Sequence, residues 1–204
     1  MIGLFNEYKR KKAFAAALKV REGRAMQPPQ FPGYGELRSV GFLCELEKGG
    51  DPQQVADIVA SFRKEGLPYK GMVLETGSAF KDEAAREEFA ALCRSNNVVF
   101  IEYRLLGGTG IPQEPQFSEN EEVKAFFATS YNMFVNLNRN GSFTLDLLAL
   151  GADAQCLAGM CNNTKMPYTL VMEPPKEDFS FSRYINALFS YFKTINATGQ
   201  SDAE

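Results

Sequence analysis

Three apolar runs each reach a carboxylate at their far end: "SVGFLCE" at Glu45, "YKGMVLE" at Glu75 and "NVVFIE" at Glu102. A fourth run, "YNMFVNL", carries Asn136, with Asn138 and Arg139 just beyond it and Ser142 three residues later. Gathered in one crevice, these groups can hold a Mg²⁺ ion through oxygen ligands or share a proton as acid and base. The turn "RNGS" (139–142) offers a second chemistry. Arg139 stands beside a helix start, Ser142 is placed to cap that helix, and Gly141 permits close backbone approach, a pattern suited to a phosphate or carboxylate. Each feature also has a plain structural meaning. Strands end in polar residues where they meet water, and Asn-Gly-Ser is an ordinary turn and cap. The candidate ligand-binding set is therefore Glu45, Glu75, Glu102, Asn136, Asn138, Arg139 and Ser142.

The absences narrow the chemistry further. The chain has no histidine. That excludes Ser-His-Asp and Cys-His nucleophiles, His-ligated zinc or haem, and an imidazole base. No phosphate-loop motif, Gly-x-Ser-x-Gly elbow or Cys-x-x-Cys occurs. "GGTG" (107–110) lacks dinucleotide spacing, and the "IPQEP" that follows cannot begin a helix to receive a pyrophosphate. No catalytic residue, metal ligand or cofactor is assigned, and the balance leans away from an enzyme. Cys44, Cys93, Cys156 and Cys161 are expected to be inert thiols, two of them inside apolar strand-like runs.

With 204 residues, 45% hydrophobic and 23% charged, the chain suits a globular domain with a real core. Its net charge of −3 and pI near 5.3 argue against nucleic acid as a partner. Basic character is local. Lys9, Arg10, Lys11, Lys12, Lys19, Arg21 and Arg24 face only Glu7 and Glu22, giving +5 in the first 24 residues. No run approaches the roughly 20 apolar residues of a membrane span, and the start does not read as a secretory leader, so a cytoplasmic protein is expected.

Residues 1–24 read as a basic amphipathic helix and 25–37 as a Pro-rich linker. Residues 38–196 then alternate apolar strands with amphipathic helices, and 197–204 read as a flexible tail. Asp51 with Pro52 opens one helix and Gly66 ends it. Alternation of this kind predicts an α/β fold: a three-layer Rossmann- or flavodoxin-like sandwich with a mostly parallel sheet of five to six strands. "CNNTKM" leaves no room for a crossover helix between "AQCLAGM" and "PYTLVME", so that pair is expected to be antiparallel.

The basic helix, "SVGFLCELE", "YNMFVNLN", "FTLDLLALGADAQCLAGM" and "YTLVMEP" together resemble a bacterial family of uncharacterised α/β proteins, classed as a domain of unknown function. Over 133–160 the chain is also similar to a strand–helix–strand unit of the heptosyltransferase-like glycosyltransferases. The first resemblance implies no activity, and the second implies a shared fold.

Two functions follow. One is a non-catalytic interaction or accessory protein, touching a second copy, a membrane surface or a protein partner through residues 1–24. The other is a small-molecule or nucleotide-type binding domain, extending to a carboxylate- or Mg-dependent enzyme, working at the carboxyl edge of the sheet.

Overall fold

Continuous apolar runs suit the strands of a parallel sheet covered by helices on both faces, and the computed structural model has that architecture. It describes residues 2–24, 31–77, 79–102, 120–160, 166–174 and 177–199. The strands are β1 (Val40–Leu46), β2 (Tyr69–Glu75), β3 (Val98–Glu102), β4 (Ser130–Asn136), β5 (Asp153–Gly159) and β6 (Leu170–Val171). The helices are α1 (Ile2–Arg24), α2 (Gln53–Lys64), α3 (Glu83–Ser95), α4 (Glu121–Phe127), α5 (Phe143–Gly151) and α6 (Phe181–Gly199), with a short 3₁₀ turn at Tyr34–Glu36.

The six strands form one sheet in the order β3-β2-β1-β4-β5-β6, every pair parallel. That order is the Rossmann one rather than the flavodoxin one. The chain therefore has a Rossmann-like α/β fold, with its strand order reversing between β1 and β4.

Alternation along each strand divides the core in two. Val40, Phe42, Cys44 and Leu46 face the layer that carries Val55 and Phe62 of α2, Phe89 and Cys93 of α3, and Tyr184 and Phe189 of α6. Leu43, Met72, Leu74 and Ile101 face Val123 and Phe126 of α4, Leu145 and Leu148 of α5, and Phe14 of α1. The first layer is ordered by rings: Phe42 stacks on Phe62 at 4.9 Å, and Phe62 meets Phe189 edge-on at 5.7 Å.

The expected antiparallel pair does not form. β6 runs parallel to β5, with Ala158 opposite Leu170 and Gly159 opposite Val171. The segment expected as a full strand contributes only two residues to the sheet, and they pair with the last rungs of β5. The end of β5 and the start of β6 are therefore only about two rungs apart along the strand direction, roughly 7 Å.

Local signals explain the helix starts. Asp51 accepts from Gln53 N–H at 2.9 Å, and Asp82 caps α3 through Ala85 N–H at 2.8 Å. Gly66 ends α2 at φ +68°, a conformation that favours glycine. α1 lies against α5: Phe14 meets Phe143 at 5.8 Å, and Arg21 donates to the carbonyls of Ala152 at 2.8 Å and Ala154 at 3.3 Å. In the segment expected as a linker, Phe31 meets Phe192 at 5.8 Å and Tyr34 donates to Glu65 at 2.6 Å. Residues 25–30, most of the irregular stretch around "GGTG", and Cys161 lie outside the described residues. No helix among the described residues is long and apolar enough to cross a membrane.

Candidate functional site

Register decides what becomes of the three carboxylates. Glu75 stands directly opposite Glu102, whereas Glu45 is opposite Leu74 and it is Leu46 that faces Glu75. A one-residue offset with a side-chain period of two puts Glu45 on the other face of the sheet from Glu75 and Glu102. The expected single acidic crevice is thus two separate places. Among the described residues no group of three or more acidic or Cys side chains is arranged to hold a metal ion.

Glu75 and Glu102 are taken up by Arg86 of α3. Its Nε donates to Glu75 at 3.1 Å, it pairs with Glu102, and it also reaches Glu83 at 3.2 Å. The guanidinium lies 5.3 Å from the centre of the Phe100 ring. Burial opposes its charge, but the hydrogen bond to Glu75 and the field of Glu102 outweigh that and raise its pKa further. Glu75 is buried and also accepts from Ala79 N–H at 3.2 Å. This cluster holds the end of β2 to α3 and is structural.

Glu45 lies where strand order reverses. There a cleft of about 190 Å³ opens between the end of β1 and the β4–α5 turn. Glu45 and Glu47 line one wall, Asn138, Arg139 and Asn140 the other, and Phe181 closes it from α6. Glu45 has no hydrogen-bond or ion-pair partner among the described residues, and its side chain is only partly buried. Arg139 stacks over Phe179 at 4.3 Å. Stacking occupies the guanidinium's face and leaves its edge donors free for an anion. Asn140 donates to Glu47 at 2.8 Å, bridging the two walls.

Beneath the turn lies a buried polar cluster. Asn136 and Asn138 donate to Asp146 Oδ1 at 3.0 and 2.9 Å, and Tyr168 O–H donates to the same oxygen at 3.2 Å. Asn136 also donates to Tyr168 Oη at 2.8 Å. Asn138 closes the turn from both sides, accepting from Ser142 N–H at 2.7 Å and donating to Ser142 O at 2.8 Å. Ser142 takes the N-cap position of α5 but makes no side-chain capping bond, and its own backbone is held by the Asn138 amide instead. Gly141 has open space around it. Its backbone, at φ +70°, is what calls for glycine, rather than a close approach.

Of the seven candidate residues, the structure thus brings Glu45, Asn138 and Arg139 to one cleft. Asn136 lies below it, Ser142 helps form the turn, and Glu75 and Glu102 are elsewhere. Sequence reasoning missed Glu47, Phe181 and Asp146. Asp146 carried a signal, being the sole charge in "FTLDLLALG"; Tyr168 carried none.

Burial pushes the thiols of Cys93 and Cys156 up to about 12 and that of Cys44 higher still, so none of the three is a nucleophile at neutral pH. Fold and cleft together define a Rossmann-like α/β protein with a small polar crevice at its strand-order switch. No family model matches the chain, and no curated protein and no solved structure matches it either.

Proposed function

We propose that the protein is a binding domain for a small polar ligand, held in the cleft between β1 and the β4–α5 turn. The observation that carries this reading is Glu45: a carboxylate without a partner among the described residues, lining a cleft at the place where folds of this strand order take their ligands. The cleft's 190 Å³ is well below the roughly 300–1,000 Å³ of sites for drug-sized molecules, which points to a small metabolite. Glu45 and Glu47 also stand where a dinucleotide would bring its phosphates, and like charges there oppose it.

A thermal-shift screen of nucleotides, sugar nucleotides, divalent ions and small charged metabolites tests the reading, since a ligand of the folded state raises stability by mass action. Small metabolites should raise the melting temperature of the native chain, and Glu45→Gln should abolish the shift. Shifts that survive Glu45→Gln would place the ligand elsewhere.

A second reading, an interaction protein acting through α1, is supported by that helix's outer face. Lys12 and Lys19 are exposed, and Val20 is 39% exposed. Charge reversal at Lys12 and Lys19 spares Phe14 and Arg21, which hold the helix to the domain. If α1 recruits an acidic partner or anionic vesicles, the reversal should release them.

A further inference from the structure

We infer that the cleft takes a zwitterion of α-amino-acid size, its cationic end at Glu45 and its anionic end at Arg139. The inference rests on the ligand-binding reading above and adds the chemical class of the ligand.

The two walls of the cleft carry opposite charge. Glu45 and Glu47 come from the end of β1 and the residue after it, and Arg139 from the turn after β4. A parallel pair at the strand-order switch separates these walls, because α2 leaves β1 toward one face and α5 leaves β4 toward the other. Neither Glu45 nor Arg139 has an ion-pair partner among the described residues. They do not neutralise one another, although both line the same cleft. Arg139 is held by Phe179 through its ring face, which fixes the guanidinium while leaving planar donors for a carboxylate. Glu47 is partly engaged by Asn140, so Glu45 is the acceptor left for an ammonium group. A ligand with only one charge would satisfy one wall and leave the other without a counter-ion. A zwitterion satisfies both and brings no net charge of its own. The cleft volume admits a molecule of this size and not one with an attached nucleotide.

The test is calorimetric titration of the full chain with L-leucine and L-glutamine, beside N-acetyl-L-leucine, which lacks the cation, and L-leucinamide, which lacks the anion. Adenosine monophosphate and glucose 6-phosphate are run in parallel. At least one free amino acid should bind, and blocking either end should weaken it about tenfold or more. Glu45→Gln and Arg139→Gln should each do the same, with melting temperatures of the unliganded variants close to the native one, because neither side chain has an ion-pair partner among the described residues and Arg139 gives up only its stacking on Phe179 at an exposed position. Arg139→Lys should retain part of the affinity, supplying a point charge without the bidentate fork. Binding of a phosphate compound that depends on Arg139 but not Glu45 would overturn the zwitterion while keeping the site. Amino-acid binding unaffected by either blocked end would do likewise, and no binding by any of the compounds would overturn both readings.

Discussion

Asn138 donates its side-chain amide to Asp146 Oδ1 at 2.9 Å, tying the residue just past β4 to the first turn of α5. The same amide spans Ser142 with both of its polar atoms, so one side chain sets the turn that forms a wall of the cleft. Asn138→Ala should cost about 1–3 kcal/mol, because it removes these bonds and strands buried partners. Asp146→Ala should cost at least as much, since it removes the one oxygen on which Asn136, Asn138 and Tyr168 converge. Measured by urea unfolding, the two substitutions should be non-additive by about 0.5–3 kcal/mol, as residues of one network are. Strict additivity would mean that the contact contributes nothing of its own.

Arg86 separates two carboxylates that the register sets side by side. Arg86→Met should lower stability by roughly 3–5 kcal/mol at neutral pH, because Glu75 is buried and would face Glu102 uncompensated. Chemical denaturation at neutral pH reads this directly; a deficit under about 1 kcal/mol, the size of an exposed ion pair, would count against the repulsion argument.

Glu65 joins three elements, accepting from Lys193 of α6 at 2.6 Å and from Tyr34 at 2.6 Å. Burial opposes its charge, yet the bonds from Lys193 and Tyr34 outweigh this and hold its pKa below the ordinary carboxylate value. Its stabilising contribution is therefore complete above the unfolded value of about 4.3 and disappears as pH falls through the lower, folded one. Lys193 is 48% exposed and screened by solvent, so Glu65→Gln should cost under about 1 kcal/mol at neutral pH. The variant should lose less stability than the native protein on acidification below pH 4, and added salt should narrow their difference.

Gly71 lies against the ring of Phe42 on the neighbouring strand, where an added methyl group would overlap it. Phe42 cannot withdraw easily, because it is stacked on Phe62 and sits in the core with no exposed surface. Gly71→Ala should therefore destabilise by about 1–3 kcal/mol, the usual range for an overfilled core. Gly66→Ala is a useful contrast, having open space but a positive φ, so its cost should be backbone strain alone.

Periodicity and punctuation located the strands and the helices between them, because continuous apolar runs and helical stripes are one-dimensional signals. The parallel character of β1, β2, β3 and β4 was legible for the same reason. What the sequence could not display was lateral register. Glu45, Glu75 and Glu102 look equivalent along the chain, but a shift of one residue sends Glu45 to the opposite face. A link too short for a crossover helix pointed to an antiparallel β6, but a strand of two residues at the end of β5 can run parallel without one. Asp146 stood out as a lone charge in an apolar helix; that Asn138 rather than Ser142 would bond to the turn depended on side-chain geometry that spacing does not encode.

The brevity of β6 bears on how the molecule behaves in company. A sheet edge is a template on which a stray chain can lay down another strand, and its hazard grows with the length of unpaired backbone it offers. β6 offers two residues. An incoming strand would find too few rungs to register upon, and this side of the sheet is guarded against strand-by-strand aggregation by having almost no edge to extend.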